Sequence, residues 1–475
     1  MLPLTYLPHQ TANDWLGGCD SEKFAELVTQ FLAELHSLKA SGNLPKLLLV
    51  EPDPIRFLAR FIAACSANYP VFLSNPGWVK AEWEQVLSLV QPDLIWGEAD
   101  RVTCSLPAFP DISLKNLTPS LTTESHHAQS GWIMIPTGGS SGKIRFAIHT
   151  WQTLMAAVQG FQQYFQTNQI NSFCVLPLYH VSGLMQFLRS FTTGGKLVIV
   201  PFKAIEREMR EIDPAEFFIS LVPTQLQRLL HDSHSRDWLT QFHTVLLGGA
   251  PAWADLLQVA RKHQIRLAPT YGMTETAAQI ATLKPDQFLA NQSHCGKVLP
   301  HARITIWDAN LPLGANQLGQ ITVQADSLAL GYYPEPGFGE TFRLDDLGFL
   351  DEQGELHVVG RNNDKIITGG ENVFPIEVEA AIRATECVAD VAVLGLNDRH
   401  WGQVITAVYI PKNSAISADS LRLALSDRLS KFKQPKYWID VKSLPRNAQG
   451  KINREQLRQI AVDWLATRST DPASE

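Results

Sequence analysis

The segment with the clearest chemistry is Pro136-Thr-Gly-Gly-Ser-Ser-Gly-Lys143, which follows the apolar run Trp132-Ile-Met-Ile135. Clustered glycines and hydroxyls let backbone N–H groups and side-chain donors close around phosphate oxygens, because no Cβ atoms interfere. The spacing is not that of a Walker A loop, since Ile144 stands where a Ser or Thr should follow Lys143. Taken alone, the segment fits a phosphate loop and an ordinary glycine-rich turn equally well.

A second segment, Thr270-Tyr-Gly-Met-Thr-Glu-Thr276, places one carboxylate among hydroxyl groups. Mg²⁺ prefers oxygen ligands and usually takes only one or two protein carboxylates when it is bound to phosphates. Glu275 is therefore a candidate magnesium ligand. A capping or turn role for Thr274 and Glu275 is an equal alternative from these residues alone.

Two further segments lie near the C-terminus, namely Gly360-Arg-Asn-Asn-Asp-Lys-Ile-Ile-Thr-Gly-Gly-Glu-Asn-Val-Phe-Pro-Ile-Glu-Val-Glu379 and Pro445-Arg-Asn-Ala-Gln-Gly-Lys-Ile-Asn-Arg454. Together and in this order, the four segments resemble the core motifs of the adenylate-forming superfamily. This superfamily includes acyl- and aryl-CoA ligases, luciferases and the adenylation domains of peptide synthetases. The resemblance covers nearly the whole chain, and the combination of four motifs is highly specific.

The resemblance implies a set of site residues, position by position. Glu275 would bind magnesium, Thr274 would contact a phosphate, and Lys451 would be the catalytic lysine of the C-terminal domain. The remaining cofactor-binding positions are Thr137, Gly138, Gly139, Ser140, Ser141, Gly142 and Lys143 in the phosphate loop, Gly248, Gly249, Ala250, Tyr271 and Gly272 at the adenine, Asp346 and Arg361 at the ribose, and Gly369 and Gly370 at the CoA tunnel.

Two positions depart from the usual pattern of the superfamily. The Pro-Lys-Gly that commonly follows the phosphate loop reads Ile144-Arg-Phe146 here, so a cation remains at Arg145 but a turn-forming pair is lost. The hinge position, often Asp or Lys, is Asn363, a residue type that tolerates unusual φ/ψ values.

The reaction implied by the resemblance has two halves. A substrate carboxylate attacks the α-phosphate of ATP, giving an acyl adenylate and pyrophosphate. The small domain then rotates, and the thiol of CoA displaces AMP. Lys451 would stabilise the charge that develops at phosphorus, and the lack of side chains at Gly369 and Gly370 would admit the pantetheine arm.

The substrate is indicated by Leu176-Pro-Leu-Tyr-His-Val-Ser-Gly183 and Ser293-His-Cys-Gly-Lys-Val-Leu-Pro300. The residues of these segments are most similar to those of the o-succinylbenzoate:CoA ligases of menaquinone and phylloquinone biosynthesis. His180 matches a histidine beside the activated carboxylate in those enzymes. The alternative is a buried histidine that hydrogen bonds to the backbone.

o-Succinylbenzoate adds one physical demand, because its aromatic carboxylate is retained and would be buried. A buried charge without a partner is costly. Arg189 lies nine residues after His180 and matches a basic position of this ligase group, and Gln279 belongs to the same predicted substrate-binding set. An arginine on a helix surface is the alternative for Arg189.

Three other functions compete with this interpretation. One is a CoA ligase for another acid, such as a benzoate or a cinnamate, which has no second carboxylate to neutralise. Another is an adenylation module that loads a carrier protein, although no carrier domain is attached. The third, from a different class, is an inactive sensor of nucleotides or acyl groups, which the presence of Lys451 and Glu275 disfavours.

The elements that would position these residues follow an α/β pattern. Short apolar runs such as Lys46–Val50, Leu197–Val200 and Thr244–Leu247 alternate with helical periodicity, which is typical of parallel strands with crossover helices. We expect a large N-terminal domain over residues 1–360 and a small, mobile α+β domain over residues 361–475. The resemblance adds a small β-barrel-like part to the large domain.

Inside the small domain, Pro375 predicts the first turn of a helix, because its missing N–H needs no partner there. Strands are expected near Asp390–Leu396 and Thr406–Ile410. A further helix should carry Leu421, Leu425 and Leu429 on one face.

Composition excludes several classes of protein. With 475 residues the chain is too long for one core, and with 45% hydrophobic and 18% charged residues it is typical of a globular protein. A net charge of −7 without clustered basic residues argues against nucleic acid as a partner. Six scattered cysteines indicate no disulfide framework or zinc site. No apolar run is long enough for a membrane span, so we expect a cytoplasmic enzyme, either monomeric or homo-oligomeric.

Overall fold

The structure is a computed structural model, and it describes residues 2–11, 14–17, 20–38, 45–98, 130–138, 144–205, 212–368, 371–398, 400–426, 428–446 and 450–469. Within these residues the chain forms a large N-terminal α/β domain and a smaller C-terminal α+β domain. No helix in the described part of the chain is long and apolar enough to cross a membrane.

Two seven-stranded sheets form the frame of the large domain, as far as it is described. The strands of the first sheet, in spatial order, are β17 (Glu335–Pro336), β16 (Gly331–Tyr332), β5 (Ile144–His149), β4 (Ile133–Gly138), β2 (Val71–Leu73), β1 (Leu47–Val50) and β3 (Leu94–Gly97). Those of the second sheet are β12 (Lys297–Val298), β11 (Ala278–Thr282), β10 (Leu267–Met273), β9 (Thr244–Leu247), β8 (Phe217–Leu221), β6 (Asn171–Cys174) and β7 (Leu197–Ile199).

Each of these sheets is parallel at one side and antiparallel at the other. Strands β1 to β4 are joined by parallel pairs, and β5 then pairs antiparallel with β4. In the second sheet, β6 to β10 are parallel and β11 reverses direction. The strand direction reverses at the two motifs singled out above, because the predicted phosphate loop joins β4 to β5 and the Thr274–Thr276 turn joins β10 to β11.

Two smaller sheets complete the frame. The third is an antiparallel sheet of β14 (Leu311–Pro312), β13 (Ala302–Asp308), β15 (Gly319–Ala325), β18 (Phe342–Leu350) and β19 (Leu356–Arg361). The fourth, in the small domain, contains β21 (Glu371–Val373), β20 (Ile366–Thr368), β23 (Gly402–Pro411) and β22 (Val388–Asp398), with β24 (Tyr437–Asp440) beside β23. Residues 362–365 connect β19 of the third sheet to β20 of the fourth. The domain boundary near residue 360 remains a prediction.

Helices pack against both faces of the two seven-stranded sheets. The α-helices of the described residues are α1 (Leu7–Thr11), α2 (Ser21–Leu38), α3 (Pro54–Ser66), α4 (Lys80–Val90), α5 (Trp151–Phe165), α6 (Val181–Thr193), α7 (Pro223–His231), α8 (Ser233–Leu239), α9 (Ala254–Lys262), α10 (Pro285–Leu289), α11 (Pro375–Arg383), α12 (Ala418–Ala424) and α13 (Arg454–Ser469). Short 3₁₀ helices span Pro3–Tyr6, Phe202–Ala204, Pro214–Glu216, Thr274–Thr276 and Lys431–Lys433.

The apolar runs that predicted strands are buried on both sides. In β1, Leu47 and Leu49 pack into one hydrophobic cluster, whereas Leu48 and Val50 pack into another on the opposite face. Strands of parallel sheets read as continuous apolar runs for this reason. The predicted strands at residues 46–50, 197–200 and 244–247 are confirmed within a residue at each end.

The small domain agrees with its prediction except for one helix. Helix α11 begins at Pro375, and the two predicted strands are present, although longer than expected. The predicted helix through Leu429 is wrong, because α12 ends at Ala424. The Ser426 hydroxyl donates to the Leu423 carbonyl at 2.8 Å, a side-chain bond that competes with helical hydrogen bonding. Leu429 still packs against the same hydrophobic cluster as Leu421.

Candidate active site

The predicted phosphate loop is held at both ends by the β4–β5 pair. Thr137 lies opposite Arg145 and Gly138 opposite Ile144, so the five residues between these strands connect the two arms of a hairpin. Those five, Gly139, Ser140, Ser141, Gly142 and Lys143, lie outside the described residues, as do Gly369 and Gly370. Their predicted roles at phosphate and CoA remain predictions.

Glu275 is a buried carboxylate with a phenolic partner. It belongs to the 3₁₀ turn Thr274–Thr276 and is 6% exposed. Tyr332 donates its hydroxyl to Oε1 of Glu275 at 2.6 Å, and the guanidinium of Arg145 lies 4.2 Å from the centre of the Tyr332 ring. Burial, and then the neighbouring Glu275 carboxylate, raise the pKa of Tyr332, so this residue remains a donor at neutral pH.

The buried residue His149 is hydrogen bonded to the Thr274–Thr276 turn. Nε2 of His149 lies 2.8 Å from the carbonyl oxygen of Thr274, and Nδ1 lies 3.0 Å from the Thr153 hydroxyl. Burial lowers the pKa of His149 to about 4, although its bond to the Thr274 carbonyl opposes this effect. The ring is therefore neutral at pH 7, and a carbonyl partner requires that Nε2 carry the proton.

The two predicted ribose-binding residues face each other across a strand pair. Asp346 of β18 lies opposite Arg361 of β19, and Nε of Arg361 donates to Oδ1 of Asp346 at 3.2 Å. Tyr271 donates to the other carboxylate oxygen at 2.6 Å. Burial would lower the pKa of Arg361, but Asp346 and two nearby aspartates outweigh it and raise that pKa. Asp346 is thus a buried acceptor held by two donors.

Glycines lie beside these residues, at positions where a Cβ atom would be strained or would overlap a neighbouring group. Gly248 and Gly249 follow the end of β9, and Gly249 has a φ of +80°, which disfavours any residue with a Cβ atom. At Gly272 in β10, a Cβ atom would overlap the carbonyl of Ala278 on β11. Strands β10 and β11 can therefore approach closely at Gly272. Ala250, which follows Gly249, is exposed.

Lys451 reaches the same site from the small domain. It follows Gly450, where a Cβ atom would lie 3.2 Å from the Thr224 hydroxyl of the large domain. Burial between the domains and the charge of Arg361 lower the pKa of Lys451, against the opposing effects of Glu275 and Asp346. Lys451 is exposed as a whole residue, yet its ammonium group lies within electrostatic range of both carboxylates.

His180 lies within electrostatic range of this lysine. It is the residue before the first turn of α6, with extended backbone angles, and its ring packs edge-on against Tyr179 at 4.5 Å between centroids. Burial and the charge of Lys451 lower the pKa of His180 to about 4. The structure therefore brings His180 and Lys451 together, with a neutral imidazole beside the ammonium.

Arg189 is a buried residue of α6, so the alternative of a surface arginine is wrong. Its side chain is almost fully enclosed, Nη2 donates to Oε1 of Gln279 at 3.0 Å, and the guanidinium lies 4.1 Å from the centre of the Phe161 ring. Burial lowers the pKa of Arg189 to about 9, which leaves it cationic at pH 7. Among the described residues no carboxylate forms an ion pair with it.

Sequence reasoning missed His149 and Tyr332. Each acts on a predicted residue through a contact between distant parts of the chain, 125 positions for His149 and Thr274, and 57 for Tyr332 and Glu275. The only local signal was the position of His149, at the end of an apolar run and directly before the cap residue Thr150.

Comparisons with known proteins show the family to which the chain belongs. A family model described as AMP-binding enzyme matches residues 24–333, and one described as AMP-binding enzyme C-terminal domain matches residues 377–451. The chain belongs to the AMP-binding enzyme family. Members of this family that are similar over nearly their whole length include the 2-succinylbenzoate–CoA ligase of Listeria monocytogenes serovar 1/2a, which is 34% identical over 92% of this chain and 93% of its own.

Solved structures of other proteins share the fold. The o-succinylbenzoate CoA synthetase (MenE) of Bacillus subtilis, in complex with the acyl-adenylate intermediate OSB-AMP, superposes with a TM-score of 0.78 at 23% identity and covers 96% of this chain and 97% of its own. ATP-bound MatB from Rhodopseudomonas palustris superposes with a TM-score of 0.77 at 23% identity over 92% of this chain and 93% of its own. The predicted adenylate-forming fold is therefore confirmed.

Proposed function

We propose that this protein is an ATP-dependent o-succinylbenzoate–CoA ligase of the AMP-forming type. It converts o-succinylbenzoate, ATP and CoA into o-succinylbenzoyl-CoA, AMP and pyrophosphate, for menaquinone or phylloquinone biosynthesis. Relatives named 2-succinylbenzoate–CoA ligase, similar along almost the entire chain, support this assignment. The observation that carries it is the buried cation of Arg189, which has no ion-pair partner among the described residues and fits a substrate that brings a second carboxylate.

The site supports the first half-reaction through charge. Lys451 approaches the cleft that contains Glu275, Asp346 and Arg361, where it can stabilise negative charge on the α-phosphate as the substrate carboxylate attacks. A neutral His180 beside this lysine can donate a hydrogen bond to the reacting carboxylate without adding a second positive charge. In our proposal Tyr271, Asp346 and Arg361 hold the nucleoside.

We propose that Glu275 is a ligand of magnesium. The residues present fit such an ion, because a buried carboxylate accepts a hydrogen bond from a neutral phenol and faces the cleft of Lys451. The described residues contain no group of three or more His, Cys, Asp or Glu that could hold a metal, so the other ligands would be phosphate oxygens and water. When bound, the ion would neutralise phosphate charge.

The second half-reaction requires the small domain to rotate about the connection near Asn363. In the described arrangement Asn363 donates its backbone N–H to Asp345 at 3.4 Å, and Arg383 of the small domain lies 5.3 Å from the ring of Trp253 of the large domain. These contacts belong to the arrangement that points Lys451 at the nucleotide site, so we assign it to adenylation. We place the activity in the cytoplasm, with ATP and CoA as co-substrates.

A pyrophosphate-release assay tests the proposal. The purified protein is given ATP, Mg²⁺ and either o-succinylbenzoate, benzoate or coumarate, and the acyl-CoA product is identified by mass spectrometry after CoA is added. We expect turnover with o-succinylbenzoate and little with the two monocarboxylates. A preference for benzoate or coumarate would assign another CoA ligase, and adenylation without acceptance of free CoA would indicate a carrier-loading module. ATP binding without turnover would indicate a sensor.

A further inference from the structure

His301 is a buried histidine that the site described so far does not use. It lies between β12 and β13, is 9% exposed, and its main-chain carbonyl accepts a hydrogen bond from Asp326 at 3.1 Å. Neither ring nitrogen has a hydrogen-bond partner within the described residues. Burial and the charge of Arg189 lower its pKa to about 4, against the opposing effect of Asp326, so the ring is neutral at pH 7 and carries one N–H donor.

The fold makes room for this imidazole in an unusual place. Gly160 lies inside helix α5, where glycine is less favourable than alanine because it loses more conformational freedom. A Cβ atom at position 160 would overlap Nδ1 of His301. The imidazole therefore occupies the space that a side chain on this helix would fill, and the glycine is required for it to lie there.

Arg189 of α6 contacts Phe161, the residue that follows Gly160 on α5. Its guanidinium stacks on Phe161, and its Nε, like both nitrogens of His301, has no partner within the described part of the chain. Buried polar groups are normally paired, so unused donors on a cation and a neutral histidine indicate a missing acceptor that is an anion.

We infer that His301 is a second specificity-determining residue, which donates a hydrogen bond to the aromatic carboxylate of the substrate, directly or through one water molecule, beside Arg189. The inference rests on the proposed function, because it names the subsite for the carboxylate that the reaction leaves unchanged. Arg189 supplies the charge, His301 supplies a directed donor, and Gly160 admits the imidazole.

Two substitutions of His301 separate hydrogen bonding from packing. His301→Leu keeps similar volume without a donor, whereas His301→Gln keeps an N–H donor. Each variant is assayed for adenylation with o-succinylbenzoate and with the analogue in which hydrogen replaces the aromatic carboxylate. We expect His301→Leu to lower kcat/KM for o-succinylbenzoate about 10- to 100-fold, the range of a hydrogen bond to a charged group, and to change it less than about 3-fold for the analogue. His301→Gln should keep most of the wild-type preference.

His294→Gln is the matched control, since His294 is also buried but pairs with Glu355 at 3.0 Å. It should leave the preference between the two acids unchanged. Gly160→Ala should reproduce the loss seen in His301→Leu, because the imidazole must move. If folded His301→Leu keeps the wild-type ratio of kcat/KM between o-succinylbenzoate and the analogue, the inference is overturned. This outcome includes an equal loss of activity with both acids, and the proposed function would still stand. A wild-type enzyme that uses neither acid would overturn the proposed function itself.

Discussion

Tyr332 donates a hydrogen bond of 2.6 Å to Glu275, and Arg145 covers the ring of the same tyrosine at 4.2 Å. The pairing of β16 with β5 places Tyr332 opposite Ala147, and Arg145 lies two residues before Ala147 on the same face of β5. The tyrosine is therefore held between a cation and a carboxylate. This contact gives Arg145 a position in the structure that the sequence alone did not assign.

Tyr332→Phe should weaken the binding of magnesium more than it destabilises the fold. The change removes a hydrogen bond to a buried carboxylate, an interaction worth about 1.5–3 kcal/mol, so pyrophosphate release at low Mg²⁺ should fall roughly 10- to 100-fold. The loss should shrink at saturating Mg²⁺. Titration of Mg²⁺ at fixed ATP measures this effect, and Tyr437→Phe in the small domain is the control. A loss that is equal at every Mg²⁺ concentration would mean that Tyr332 does not orient Glu275 for the metal.

Lys451→Ala should separate the two half-reactions. Because Lys451 lies within electrostatic range of Glu275 and Asp346, at the nucleotide site that we propose, adenylation should fall by about 10²–10³-fold, as expected when one preorganised charge donor is removed. Thioester formation from presynthesised o-succinylbenzoyl adenylate and CoA should be largely retained. Lys436→Ala, which removes an ammonium group paired with Asp398 in the same domain, should spare both steps. Equal losses in both half-reactions would assign Lys451 a structural role.

Arg189→Ala should leave the aromatic carboxylate of the bound substrate without a cationic partner. The loss of transition-state stabilisation, measured from kcat/KM, should be roughly 3–5 kcal/mol. Lysine should restore only part of this, because it lacks the planar fork of donors. With the analogue that lacks the aromatic carboxylate, the variant and wild type should differ much less, giving a coupling energy well above ~0.5 kcal/mol.

Arg261→Ala is the control for the loss of an arginine stacked on a ring, since Arg261 lies 4.3 Å from the ring of Phe288. It should lower stability without changing the preference between the two acids. If the effects of Arg189→Ala and of the missing carboxylate are additive, Arg189 does not recognise that carboxylate.

His149 should make the fold sensitive to acid. Its pKa is about 4 in the folded protein, below the ordinary value of 6.5, so between these pH values the unfolded chain binds a proton that the folded chain does not. Stability should therefore fall as pH falls from about 6.5 to 4, by up to about 1.4 kcal/mol per pH unit for this residue. Urea unfolding of wild type and His149→Gln at pH 7 and pH 5 measures the difference, and equal pH dependence would contradict it.

The elements that depend on neighbours in the chain were predictable from the amino-acid sequence. Apolar runs such as Leu47–Val50 became buried strands because both faces of a parallel sheet are covered, and Pro375 began a helix because the first turn leaves its missing N–H without consequence. The four ordered motifs indicated the family for a related reason. A loop that closes around phosphate is built from consecutive residues, so its composition is readable without knowledge of the tertiary structure.

Contacts between residues that are distant in the sequence were not predictable without the three-dimensional fold. Burial of Arg189 depends on helix α5 and strand β11 covering α6, and the pattern of α6 alone fits a surface arginine as well as a buried one. His301 lies beside Arg189 because a glycine on another helix leaves space for it. Lys451 reaches Glu275 through the packing of two domains. Charge burial and hydrogen bonding of this kind depend on what covers a side chain, and that covering comes from residues far away in the sequence.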